Sequence, residues 1–288
     1  MRKGFDKFIE KVILACGLLA IVFVALIFIF LLIEGGSFFR EYNVLNFLSG
    51  KFWYPTSNPA QFGILALVAG SLVVTLGATV VAVPLGVMAA LYIAEVAPAG
   101  IKDILKSGVE LLAAIPSVVI GFIGMVTIVP LIRTTFNLST GLSAFSGALM
   151  LAFMAMPTIV SISEDAIRAV PWAYKEGALA LGATKWQTMY RIVIPAALPG
   201  IIAAVMLGIG RVIGETMAVM MITGNAAAIP QSLFDPVRTM TATIAAEMGE
   251  TVKESSHYHA LFAIGLVLFI ITFTINFIAD TYLRKVKK

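Results

Sequence analysis

The chain has 288 residues, 60% of them hydrophobic and only 12% charged, whereas soluble domains carry about a quarter charged residues. An ordinary water-soluble enzyme is excluded, and apolar runs of about 20 residues, the length that crosses a hydrocarbon layer as helix, predict an all-α protein that spans the membrane several times. The net charge of +4 does not point to nucleic acid, because the basic residues flank apolar runs instead of forming a solvated stripe. The single cysteine, Cys16, allows no intrachain disulfide and no Cys-based metal site.

In chain order, residues 12–33 form a first uncharged run of 22 residues after Arg2, Lys3, Lys7 and Lys11. It is too long for a secretory signal, and Glu34-Gly35-Gly36 after it offers no small-x-small cleavage site. Residues 34–62 hold Phe38, Phe39, Phe47, Phe52, Trp53 and Tyr54, aromatics suited to the headgroup region, so this loop is expected on the outer leaflet. Further spans are expected at residues 63–93 and 111–132, in the last 20 or so of 134–163, and at 200–222 and 260–279. Residues 224–258 read as a second, more polar outer loop. Six spans put both termini on one side. With that side inside, 14 of the 20 lysines and arginines fall in inner segments, and the bias of basic residues toward cytoplasmic loops makes both termini cytoplasmic.

Within the spans, Pro84, Pro116 and Pro157 each remove an amide donor and predict bends, whether as ordinary bundle kinks or as hinges. Ser71, Thr75 and Thr79 fall on one stripe that avoids lipid, with hydrogen bonding inside the bundle weighed above a role in a passage. Gly210 and Gly214 have the spacing for close helix packing. The strongest feature is Gly-Arg211-Val-Ile-Gly-Glu215-Thr216. A charge near the bilayer midplane costs at least a few kcal/mol, so Arg211 and Glu215 must face protein or water, and four residues apart on a helix they can pair. A guanidinium fork matches a tetrahedral oxyanion. A carboxylate beside it can accept a hydrogen bond from protonated phosphate or can simply neutralise the arginine, and the residues alone leave both open.

Residues 164–199 are too polar to cross and too long for a tight turn, and short helices broken near Gly182 are expected there. This segment resembles the Glu-Ala-Ala loop of ABC importer permeases: Glu176, Gly177, Ala178, Gly182, Ile192, Ile194 and Pro195 stand at the matching spacing, with Gly177 in place of Ala and Ile194 in place of Leu. Phe52-Trp53-Tyr54-Pro55, Ala82-Val83-Pro84-Leu85-Gly86, Ile115-Pro116-Ser117, residues 210–219 and His257-Tyr258-His259 narrow the resemblance to the PstC-type permeases of phosphate importers, over nearly the whole chain. It implies the type I ABC importer permease fold in a bacterial inner membrane, with residues 1–62 as first helix and outer loop and 63–288 as a permease core. It also implies a PstA-like second permease, two copies of a PstB-like ATPase, a PstS-like binding protein, and no cofactor. Arg211, Glu215 and Thr216 would lie on the phosphate path. Glu176, Gly177, Ala178 and Gly182 would couple to the ATPase.

His257 and His259 make at best a weak metal pair and are expected as solvated loop residues, with no metal site. No Gly-x4-Gly-Lys-Ser/Thr phosphate loop occurs, so ATP must be hydrolysed on another chain. A proton-coupled carrier using Glu215, or a permease for another oxyanion, are the competing readings. An intramembrane hydrolase is not supported, since no histidine lies in a span and no Gly-x-Ser-x-Gly occurs.

Overall fold

The computed structural model describes the backbone of residues 2–286 and the side chains of 7–281. Of the 14 inner lysines and arginines, the side chains of Arg2, Lys3, Arg284, Lys285, Lys287 and Lys288 lie outside the described residues. Among the described residues, six helices are long and apolar enough to cross a membrane.

Helix α1 (Arg2–Phe38) runs beside the last helix, with Phe28 stacked on Phe269 at 4.9 Å and Phe30 edge-on to Phe262 at 5.3 Å. After it come α2 (Val44–Ser49), capped by Asn43, and an antiparallel hairpin of β1 (Trp53–Tyr54) and β2 (Gln61–Phe62) that places Trp53 opposite Phe62. Only part of the aromatic set of this segment faces outward. Phe38, Phe47, Trp53 and Phe62 are buried together with Met240, Leu261 and Ile264, while Phe52 and Tyr54 stay exposed. Edge-to-face ring contacts of 5.2–5.5 Å around Phe38 bury more aromatic surface than a flat interfacial loop could.

The second span is α3 (Leu65–Leu91), which closes in a π-helical turn, Tyr92–Val96. Helix α4 (Ala99–Ala114) follows outside the spans, and α5 (Ser117–Ile123), a π turn Gly124–Ile128 and α6 (Val129–Thr135) form the third. The third span therefore starts at Ser117 and not at residue 111. Pro116 does not bend a helix; it separates α4 from α5, since proline cannot continue α4 and disfavours helical backbone at Ile115. Pro84 lies inside α3 and Pro157 inside α7 (Ala144–Arg168).

Helix α7 is the most buried span. It packs along α3 and along α10 (Ile194–Gly214), joined by Val74, Ala78, Ala82, Leu151, Met154, Ile159 and Val212. Glycines set these approaches: a Cβ added to Gly86 would sit 2.9 Å from Ile159, and one added to Gly208 would sit 2.6 Å from the same side chain. Gly210 and Gly214, the glycines expected to pack, face open space within this chain. Between α7 and α10 lie α8 (Trp172–Ala180), α9 (Lys185–Thr188) and a π turn, Met189–Val193.

Beyond α10 come α11 (Met217–Ile222), α12 (Met240–Glu247) and α13 (Ser256–Val286). The outer loop at 224–258 is thus partly folded inward, with Thr239, Met240, Thr241, Ala242 and Thr243 all buried. Of the hydroxyl stripe, Ser71 Oγ accepts from the Met240 amide at 3.0 Å and Thr79 Oγ1 donates to the Thr75 carbonyl at 2.7 Å. Both serve the bundle, as weighed from the sequence.

Candidate translocation site and coupling helix

The sequence suggests one continuous helix through residues 200–222, but α10 ends at Gly214. Glu215 adopts extended backbone (φ −71°, ψ 134°), Thr216 is also non-helical, and α11 resumes at Met217. Arg211 and Glu215 consequently do not share a helix face, and among the described residues they form no ion pair. Arg211 Nη1 instead donates to Thr158 Oγ1 at 3.3 Å. The Glu215 carboxylate accepts from the Ala218 amide at 3.3 Å, at the start of α11, and the Glu215 carbonyl accepts from Thr241 Oγ1 at 2.8 Å. Thr216 Oγ1 donates to the Gly214 carbonyl at 3.2 Å.

The depth of this break follows from its neighbours. Gly200 meets Ala166 and Gly208 meets Ile159, so α10 runs antiparallel to α7 and Arg211 comes level with the middle of that span. Thr158 is the fifteenth of the 25 residues of α7. Interrupted backbone at mid-depth is tolerated only where protein covers it or a cavity hydrates it, and such breaks expose amides and carbonyls to a polar passenger. Arg211, Glu215 and Thr216 are each only partly buried. Thr158 and Thr241 had no distinguishing spacing in the sequence; a tertiary contact alone brings them to the break.

In the loop between α7 and α10, Gly182 has φ +84° with open space around it. Its left-handed backbone ends α8, its amide bonding the Leu179 carbonyl at 2.9 Å while the Ala183 amide bonds that of Ala178 at 3.1 Å. Thr184 and Gln187 then form a capping box that starts α9. The break expected at Gly182 is present. Glu176 is exposed and accepts from Trp172 Nε1 at 2.6 Å, Gly177 is exposed with nothing nearby, and Ala178 is half-buried. Lys175 Nζ meets Glu95 Oε1 at 2.5 Å.

Two charge clusters join near and distant residues: Glu164 and Arg168 stand at the i, i+4 spacing of a helical pair, and Glu247 lies within ten residues of Arg238 and His257, whereas only the fold brings in Lys106 and Trp53. Glu164, 2% exposed at its side chain, pairs with Lys106 of α4 at 2.9 Å and with Arg168. The hydrogen bond from Lys106 to Glu164 raises the Lys106 pKa above 10.5, with Asp165 reinforcing the effect. Beside the hairpin, the Glu247 carboxylate receives Trp53 Nε1 at 2.9 Å, Arg238 Nη1 at 2.6 Å and His257 Nε2 at 2.9 Å. His259 Nδ1 lies 3.3 Å from Glu34. The two histidines therefore open α13 against carboxylates and are not solvated loop residues.

The family described as the binding-protein-dependent transport system inner membrane component matches residues 82–288. The chain belongs to this family. It is 40% identical over 266 residues to a probable ABC transporter permease protein, YqgH, of Bacillus subtilis, covering 92% of this chain and 86% of that one. It is 38% identical to the phosphate transport system permease protein PstC of Mesorhizobium japonicum, covering 84% and 79% respectively. The PstC of Haemophilus influenzae is 32% identical, with 94% and 90% covered. Among solved structures, a bacterial ABC transporter involved in import of the acidic polysaccharide alginate superposes with a TM-score of 0.65 at 16% identity, covering 99% of both chains. The inward-facing MetNI methionine ABC transporter gives 0.58 at 22%, covering 78% of this chain and 95% of the other. These structural likenesses establish the type I ABC importer permease fold. The protein is a multi-pass membrane permease of a kind that works with an ATPase and a binding protein. ATP hydrolysis resides on a separate subunit in such systems.

Proposed function

We propose that this permease moves inorganic phosphate into the cytoplasm, by alternating access driven by ATP hydrolysed on its partners. The observation that carries the reading is Arg211 at mid-depth beside an interrupted helix, in contact with a neutral hydroxyl. An always-charged guanidinium held there with no ion pair among the described residues suits an oxyanion that arrives and leaves. The Glu215 carboxylate and the Thr216 hydroxyl border the same break. A carboxylate there would accept a hydrogen bond from the proton that phosphate retains near neutral pH and that fully deprotonated sulfate lacks. Likeness to several PstC proteins supports phosphate as the cargo.

In this reading residues 63–288 form the permease core, residues 1–62 add the first helix and the outer hairpin, and the chain sits in a bacterial inner membrane with both termini cytoplasmic. A PstA-like permease completes the pathway, a PstS-like protein delivers phosphate outside, and two PstB-like ATPases receive α8 inside through Glu176, Gly177, Ala178 and Gly182. The test is uptake of radiolabelled phosphate by the complex reconstituted in vesicles, with and without ATP and excess sulfate. ATP-dependent uptake that sulfate fails to suppress is expected. Uptake that persists without ATP, or that sulfate abolishes, contradicts the proposal.

A further inference from the structure

Helix α8 is weakly attached to the body of the permease. None of its nine residues is buried, and within its own loop it touches α9 and the π turn Met189–Val193. A cavity of about 520 Å³, lined by Glu95, Trp172, Lys175, Leu179, Trp186 and Thr188 among others, separates it from the end of the second span. Close packing therefore does not join α8 to that span. Their link is a charge pair: Lys175 Nζ and Glu95 Oε1 at 2.5 Å, with side chains only 11% and 18% exposed. Screening by solvent at that exposure is limited, so the pair is stiffer than a surface ion pair.

Each end of the pair is braced. Lys175 Nζ lies 5.4 Å from the centre of the Trp172 ring, and Trp172 Nε1 holds the Glu176 carboxylate at 2.6 Å, so three residues of one α8 face act together. Glu95 belongs to the π turn Tyr92–Val96, whose Ala94 carbonyl accepts from Lys102 Nζ at 3.0 Å. From there α3 is rigidly engaged with α7, Gly86 lying against Ile159, next in chain to the Thr158 that holds Arg211.

We propose that Lys175 and Glu95 form a strut that delivers the displacement of α8 to the cytoplasmic end of the second span. Both are positioning residues that touch no substrate. The proposal rests on the reading above that α8 docks on the ATPase. Pulling on α8 then moves α3 as a unit, instead of merely flexing the loop between α7 and α10.

The experiment measures phosphate transported per ATP hydrolysed by the complete reconstituted complex carrying Lys175→Glu, Glu95→Lys, or both. Each single reversal is expected to lower that ratio by about tenfold, a usual size for coupling between sites, with the complex recovered in unchanged yield. The double reversal should regain most of it. Single reversals that couple like the unaltered complex, or a double reversal as impaired as the worse single, overturn the strut. In a Cys16→Ser background, Glu95→Cys with Lys175→Cys bridged by a short bis-maleimide should retain coupled transport, and loss of transport on bridging shows that the two ends must separate, which also overturns it. A photo-cross-linker in place of Leu181, 91% exposed on this loop, tests docking separately. Failure to capture the ATPase sinks the docking reading, whereas capture with indifferent charge reversals sinks the strut alone.

Discussion

Arg211 and Thr158, 53 positions apart in sequence, meet at 3.3 Å through Nη1 and Oγ1, and that contact replaces the helical Arg211–Glu215 pair that the sequence suggests. Hydrogen bonds to charged groups contribute about 1.5–3 kcal/mol, so Arg211→Ala is expected to lower phosphate uptake by about 10- to 100-fold. Assembly should be preserved, because no ion pair is broken. Thr158→Val keeps shape and removes the hydroxyl, and a fall of roughly fivefold is expected. Initial uptake rates, with complex yield by size-exclusion chromatography, check both. Normal uptake by an assembled Arg211→Ala complex would remove the oxyanion site.

Gly182 has left-handed backbone, and a Cβ added to it would meet nothing within 4 Å, so a side chain there is opposed by backbone strain alone, at about 1–2 kcal/mol. Gly182→Val should raise ATP hydrolysis per phosphate moved by several-fold, while Gly182→Asn, which tolerates this conformation, should remain near the unaltered ratio. Equal behaviour of the two variants would show that the turn does not transmit the motion.

Ile159 is gripped from two sides, by Gly86 of α3 and Gly208 of α10. Gly208→Val forces overpacking at about 1–3 kcal/mol and is expected to lower the thermal midpoint of the purified permease. Adding Ile159→Ala makes room and should recover part of the loss. If the double variant is no more stable than Gly208→Val, the helices are not held apart by that contact.

The Lys106–Glu164 pair gives a pH dependence. Hydrogen bonding raises the folded-state pKa of Lys106 above 10.5, so its contribution is complete below pH 10.5 and is lost as pH rises through the folded value. Proteolytic cleavage within α4 should be unchanged from neutral pH to pH 10.5 and should increase as the pH rises beyond it. Lys106→Met should show the increased cleavage at every pH.

Much of the architecture was legible because its cause is local. Span number, approximate limits and the break at Gly182 follow from hydropathy, length and glycine's freedom at positive φ. Elsewhere local signals misled. Pro116 reads as a bend within a span and is a boundary, because an adjoining polar helix, α4, had no charge-free run to mark it. Phe38, Phe47 and Trp53 look like interfacial aromatics, but they bury against Ala260 to Ile264, some 200 residues later in the chain. Gly210 and Gly214 have packing spacing, but a Cβ added to either would meet nothing within 4 Å among the described residues, while Gly208 lies against Ile159.

The sequence by itself determined that the chain lives in a bilayer, which loops carry the cation excess, and that one arginine lies far from any membrane surface; each follows from transfer free energies of contiguous residues. Tertiary structure decided what that arginine touches, where the fifth span breaks, and which carboxylates hold Lys175, Lys106 and the two histidines. Those outcomes depend on residues brought together across the bundle, where a hydroxyl or carboxylate from a distant helix satisfies a group whose neighbours in sequence point away.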